Sequence, residues 1–264
     1  MIKHLKSSHA YKSFRLFGKN LRKTIKRYTF RRKLEKNVPV FIFQMGKVAS
    51  SSIFSSLKNQ YTGAVGHAHH IGEDNWMSME LHHWSLNNKP IKIISLIREP
   101  IGRDVSAFFQ LFEDYTGSLF KDSNHTTDEL RSFFLNNIDH NKTLSWFDDN
   151  IKTHFGIDVY SEPFPEDGHL TLSRKNISLL VLRFDLDDSK KESLIRDFLG
   201  FQEFKIKRRN LSSKKNYYNT YKDFQTNVKL PDEYLDKICN SKYFTHFFPK
   251  DEITKVRSKW ETKK

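Results

Sequence analysis

The sequence predicts an α/β fold: a P-loop-type parallel β-sheet flanked by helices, with a helical C-terminal portion. Three observations predict it. Short, largely apolar runs rich in β-branched and aromatic residues recur at residues 40–43, 92–97 and 177–184, as strands buried on both faces require. Segments with helical apolar spacing separate them, the alternation expected of a parallel sheet. The chain's 264 residues suffice for one domain with a full-sized core.

Residues 1–37 form a basic arm and residues 38–264 a single α/β domain. The arm holds thirteen Lys/Arg and one acid, Glu35, so it contributes +12 of the formal +14. Phe14, Phe17, Leu21, Ile25 and Tyr28 fall at roughly helical spacing among these cations. That pattern suits an amphipathic helix on an anionic membrane surface, or a helix docked on the protein's own body, or a disordered tail; Gly18 weakens a single long helix. No stretch reaches the roughly 20 apolar residues of a membrane span, and the N-terminus lacks a signal-peptide core. The lone cysteine, Cys239, fits a reducing compartment. A cytoplasmic protein, peripheral to the inner face of the membrane through its arm, is expected.

Residues 40–43 are the first strand. Gln44, Met45, Gly46 and Lys47 follow, then Ser50, Ser51 and Ser52, then a helical pattern with Ile53, Phe54 and Leu57. Strand, glycine turn, lysine, hydroxyls and helix build a cradle for a phosphate-like anion, because helix-terminal amides and the helix dipole favour negative charge. The plainer alternative is a turn and a serine-capped surface helix. In a nucleotide-triphosphatase loop the residue after the lysine is Ser or Thr and holds magnesium. Here it is Val48, which cannot ligate a metal. Sulfuryl transfer from a phosphosulfate, which lacks the dense charge of a triphosphate, fits such a site.

Residues 64–71 read as a second strand and Trp76–Leu86 as a helix. The third strand, 92–97, runs straight into Arg98, Glu99 and Pro100. Proline is preorganised for a helix start, and a helix over 101–115 follows. Residues 130–138 and 143–155 read as helical, 177–184 as a late strand, and 189–199 as the helix after it. Helices are expected over 217–228, Asp232–Cys239 and Lys250–Trp260. Ligands belong at the carboxyl ends of the strands, where Lys47 and Arg98 both lie.

The pair QMGKVASSSI and LIREPIGRDVSAFF resembles the two cofactor-binding signatures of sulfotransferases that use 3'-phosphoadenosine 5'-phosphosulfate (PAPS). The likeness is greatest to the bacterial carbohydrate sulfotransferases associated with capsular polysaccharide synthesis. It extends to the His-x-His after the second strand, YSEPF at residues 160–164 and SKYFTHFFPKDEI at 241–253, leaving only the arm unmatched. The resemblance implies PAPS as donor, no metal, and a carbohydrate acceptor. It implies that Gly46, Lys47, Val48, Ala49, Ser50, Ser51 and Ser52 hold the 5'-phosphosulfate, while Arg98 and Ser106, eight positions on, hold the 3'-phosphate. Arginine gives the bidentate contact that phosphate geometry rewards. Ala49 stands where the family often has glycine. Arg208 and Arg209, after Lys207, sit where the family has a basic loop, without its glycine.

In-line attack on sulfur needs a base for the acceptor's proton. His67, His69 and His70 lie at the end of the second strand, with His67 and His69 on one face. His69, nearest the strand end on that face, is the favoured base, followed by His67 and His70; Glu73 and Glu113 are alternatives, and the histidines could instead only shape the acceptor pocket. A zinc site built from these with His82 and His83 is disfavoured, since no cysteine or H-E-x-x-H accompanies them. Trp76, Trp84, Tyr115 and Trp146 could stack on sugar rings, although core packing is the commoner role. Two other functions compete: a P-loop kinase-like phosphotransferase, and a non-catalytic anion- or nucleic-acid-binding protein acting through the arm. No nucleic-acid partner is expected.

Overall fold

A computed structural model describes residues 9–120, 124–207 and 216–262, with side chains from residue 21 onward. Five strands form one sheet in the order β2-β1-β3-β5-β4. β1 (Val40–Phe43) lies between β2 (Val65–Ala68) and β3 (Ile91–Ile97), and β3 pairs with β5 (Ile177–Arg183), all in parallel. The apolar runs are strands because both faces are covered: Val40, Phe41, Ile42 and Phe43 are wholly buried.

The remaining strand corrects the sequence reading, which placed none between residues 97 and 177. β4 (His169–Arg174) runs antiparallel to β5, joined by a tight turn at Lys175 and Asn176, with Arg174 paired to Ile177. Lys175 has φ 53°, the positive first position that two-residue hairpins favour. The strand's half-polar sequence suits a sheet edge, with one side toward solvent.

The arm is helical: α1 spans His9–Leu34, and Gly18 does not interrupt it. Its C-terminal end docks on the body through buried Phe30 and Leu34, Phe30 meeting Trp76 edge-on at 5.3 Å. Arg27 and Arg31 both close on Glu80, at 2.6 and 2.7 Å. α2 (Ser50–Gln60) connects β1 to β2, and α3 (Trp76–Leu86) connects β2 to β3. The close packing of α3 depends on Gly66, where a Cβ would lie 2.2 Å from Leu81 Cδ1.

The helix expected over 101–115 is two. α4 (Pro100–Gln110) begins with Pro100 at its first turn and Glu99 accepting from Gly102 N at 2.9 Å. It stops at Leu111, and α5 (Phe112–Thr116) follows, ended by Gly117 in the left-handed region. α6 (Thr127–Asn137) starts with a reciprocal cap between Thr126 and Glu129. The stretch read as one helix over 143–155 is α7 (Asn141–Leu144), a π-helical turn over Phe147–Lys152 and α8 (Thr153–Phe155). This irregular segment lays Trp146 and Phe155 against Phe43, with ring centroids 5.2 and 5.7 Å away. Trp146 is thus a core residue.

α9 (Asp188–Leu199) is capped by Asp187 and ends at Gly200, φ 75°. The C-terminal portion is helical as expected, in α10 (Tyr218–Asn227), α11 (Asp232–Cys239) and α13 (Lys250–Trp260), with an unanticipated α12 (Lys242–Phe247) between the last two. Its aromatics are core: Tyr243, Phe244, Phe247 and Trp260 are all but wholly buried.

Candidate active site

Because β1, β2, β3 and β5 are parallel, their carboxyl ends share one edge of the sheet. The order β2-β1-β3 means that β1 has its next strand on one side and the following one on the other, which opens a crevice beyond its end. The loop Gln44–Ala49 occupies that place. Lys47 (φ 73°) and Ala49 (φ 57°) both adopt the left-handed backbone, at a cost of about 1–2 kcal/mol each for residues with a Cβ.

Two guanidiniums from beyond β3 hold this shape. Arg98 Nη1 donates to the Lys47 carbonyl at 3.1 Å, and Arg103 Nε donates to the Gly46 carbonyl at 3.0 Å. In trans peptides the next N–H points opposite to the carbonyl, so the amides of Lys47 and Val48 are turned away from these arginines. The N-cap of α2 is Ala49, with no side-chain cap. The serine-capped alternative therefore fails: the serines lie inside the first turn, and the N-cap position is an alanine, which has no side-chain acceptor to offer.

Among the residues expected on the anion, Ser51 is exposed and Ser52 half-buried, while Ser50 is buried with its hydroxyl 2.9 Å from His67 Nε2. Val48 is fully buried. The Lys47 ammonium donates to Gln110 Oε1 at the far end of α4. Arg98 lies over the Phe184 ring at 5.0 Å, and the Tyr243 hydroxyl donates to its carbonyl at 3.0 Å. Ser106 is half-buried on α4. Lys207 N donates to Ser56 Oγ at 2.8 Å, whereas Arg208 and Arg209 lie outside the described residues.

The histidines divide into a pair and an outlier. His67 and His69 meet edge-to-face at 5.1 Å. His69 Nδ1 is 2.9 Å from the Gln44 carbonyl, which only accepts, so Nδ1 carries the proton and Nε2 holds the lone pair of the neutral ring. Nε2 faces the loop, 3.7 Å from where a Cβ on Gly46 would sit. Trp146 Nε1 fixes the backbone of His69 through its carbonyl at 2.9 Å. Partial burial lowers the His69 pKa from the ordinary imidazole value; the Gln44 bond opposes this, and Arg103 and His70 add to it. The residue nonetheless keeps solvent access. His70 turns away to Asp74, at 3.0 Å. Glu73 and Glu113 are exposed, before α3 and on α5.

His67 is pulled down to about 4, first by burial and then by His69. An unfolded chain with an ordinary histidine binds more protons between pH 6.5 and 4, so this contribution is complete above 6.5 and is lost as pH falls toward 4. The loss amounts to up to about 3 kcal/mol. Denaturant midpoints at pH 7.5 and 4.5 check it: His67→Gln is expected to flatten the acid decline, and an unchanged decline would assign it to other groups.

The sequence reading missed what stands behind Arg103. Its Nη1 donates to Asp104 Oδ1 at 2.9 Å and to Thr143 Oγ1 at 3.1 Å. Asp104, wholly buried, also accepts from Thr143 Oγ1 at 2.6 Å and faces His140 Nδ1 at 2.7 Å. His140 Nε2 meets the Phe134 carbonyl at 3.0 Å. One signal was present: an aspartate in the stripe Ile101, Asp104, Val105, Phe108, where helical spacing demands apolar residues. A buried acid needs partners, and Arg103 is the adjacent cation.

The arrangement can receive an anion at a strained loop flanked by Lys47, Arg98 and Arg103, with an unprotonated imidazole nitrogen alongside. No curated protein and no solved structure matches the chain. One family model does, NKWYS, described as "Putative capsular polysaccharide synthesis protein", over residues 118–249. The matched half begins beyond the loop and both arginines and carries Thr143, which meets Arg103, Tyr243, which meets Arg98, and Trp146, which holds the His69 backbone. On this match the chain belongs to the NKWYS capsular polysaccharide synthesis family.

Proposed function

We propose that the protein transfers a sulfuryl group from PAPS to a hydroxyl of a carbohydrate acceptor, in the making of a capsular or other cell-surface polysaccharide or glycolipid. One observation carries the reading. Lys47, an uncapped helix start and two loop-holding arginines converge beside the open Nε2 of His69. The family match supports the polysaccharide side, and the resemblance of the two loops supports the donor.

The donor supplies a sulfuryl group attached to a phosphate leaving group. His69 Nε2 takes the acceptor's hydroxyl proton as its oxygen bonds to sulfur and the sulfur–oxygen bond to phosphate breaks. The proton ends on the imidazole, which Nδ1 anchors to Gln44. Lys47 and the first amides of α2 offset the charge gathering on the departing oxygen, where preorganised donors are most effective. Arg98 has a dual part: it shapes the loop through the Lys47 carbonyl and offers its remaining donors to the 3'-phosphate.

A phosphotransferase reading is weaker because the position that would ligate magnesium is Val48, buried in the core. Calorimetric titration with adenosine 3',5'-bisphosphate, without magnesium and beside ATP, separates the two. The bisphosphate is expected to bind, and Arg98→Ala to weaken it about 10–100-fold, the worth of a lost charge-assisted bond. Magnesium-dependent preference for ATP, or no bisphosphate binding, would sink the sulfotransferase reading.

A further inference from the structure

α1 presents opposed chemistries on its two sides. Toward the body lie buried Phe30 and Leu34, with Arg27 and Arg31 fixed on Glu80. Roughly half a turn around the helix, Leu21, Ile25 and Tyr28 are 50%, 56% and 63% exposed. Their spacing of four and three residues puts them in one stripe, and in sequence Phe14 and Phe17 continue the same interval. A single exposed leucine needs no explanation. Three large apolar groups in register on a helix otherwise rich in lysine and arginine do.

The charge around the stripe identifies what covers it. Arg22, Lys23, Lys26, Arg32 and Lys33 occupy this part of α1, all but Lys33 exposed, and the segment 1–37 carries +12 with Glu35 as its one acid. A second copy of the chain would bring an equal positive charge against it. A nucleic acid would satisfy the cations but leave the apolar stripe in water. An anionic bilayer satisfies both, with side chains in the acyl boundary and cations among the headgroups. Among the described residues no helix is long and apolar enough to cross a membrane, so the contact is lateral.

We propose that the exposed face of α1 docks on an anionic lipid surface, the helix lying in the headgroup plane while its other face holds the α/β domain. The anchor is rigid, because Arg27, Arg31 and Phe30 tie it to α3, the helix that follows the histidine strand.

Co-sedimentation of the full chain with vesicles tests this. Phosphatidylcholine vesicles containing phosphatidylglycerol are expected to bind it, pure phosphatidylcholine to leave it in solution, and added salt to weaken binding. Replacing Leu21, Ile25 and Tyr28 together by serine should lower binding at least about tenfold, and Arg22→Gln with Lys26→Gln about fivefold per charge. All five positions are exposed, so the fold has no stake in them. Binding that survives the triple substitution, or that goes equally to phosphatidylcholine, overturns the proposal. So does a dimer that the triple substitution dissolves, or transfer of the chain from these vesicles to added RNA.

Discussion

His69→Gln is expected to lower sulfuryl transfer by about 10²–10⁴-fold, the usual contribution of a positioned base. The glutamine amide can still donate to the Gln44 carbonyl, so the backbone and the loop remain in place and bisphosphate binding should be unchanged. That split between chemistry and binding makes the test specific. The acid limb of kcat/KM should fall below pH 6.5, because burial, Arg103 and His70 all hold the His69 pKa down. Transfer can be followed on an acceptor sugar or, at a slower rate, as hydrolysis by water. If His67→Gln costs more than His69→Gln while the fold and bisphosphate binding persist, the base is His67, and the bond between His67 and Ser50 belongs to a ground state that the acceptor displaces.

Asp104→Ala is expected to destabilise the protein by about 3–5 kcal/mol, the cost of removing one partner from a buried ion pair. Arg103, Thr143 and His140 would each lose their shared acceptor in the interior. Against a typical total of about 5–15 kcal/mol this is a large share, and the melting temperature should drop by about 10 °C or more. Asp104→Asn keeps one carbonyl and should lose less, yet it frees Arg103 and should weaken bisphosphate binding through the Gly46 carbonyl. Unchanged stability in Asp104→Ala would mean that Arg103 and His140 find water instead, and that the network does not set the loop.

Where the sequence could be read and where it could not follows from how local each signal is. β1, β3 and β5 are buried on both faces and are visible as apolar runs; Pro100 marks the start of α4, and Trp76–Leu86 matches its predicted limits. Lys47, Arg98, His67 and His69 follow once the strand ends are known. β4 was missed because an edge strand alternates His, Leu, Thr, Leu, Ser, Arg, with only two strongly apolar positions. Leu111 does not look like a helix breaker, and no local signal marks the interruption there, where the backbone leaves the helix at φ −107° and ψ 34°. Arg103 could not be ranked because its partner Thr143, and Asp104's partner His140, lie about forty residues away, in a segment whose π-helical turn has no simple periodicity. For Trp146 the sequence left sugar stacking beside the commoner role of core packing, and the indole against Phe43 and the His69 carbonyl decides for the core.

The Tyr243 hydroxyl that braces Arg98 lies 145 residues downstream of it. β3 likewise waits for β5, since Ile91 pairs with Ile177. As the nascent chain leaves the ribosome, the loop, the histidines and both arginines emerge with an unpaired apolar edge and nothing behind Arg98. Domains of this kind expose sticky strand edges until their last partner arrives. The residues of the proposed anion site, from Gln44 to Ser106, all precede the elements that brace them, Thr143 against Arg103 and Tyr243 against Arg98, so a prematurely terminated chain would carry every one of those residues without the contacts that hold them.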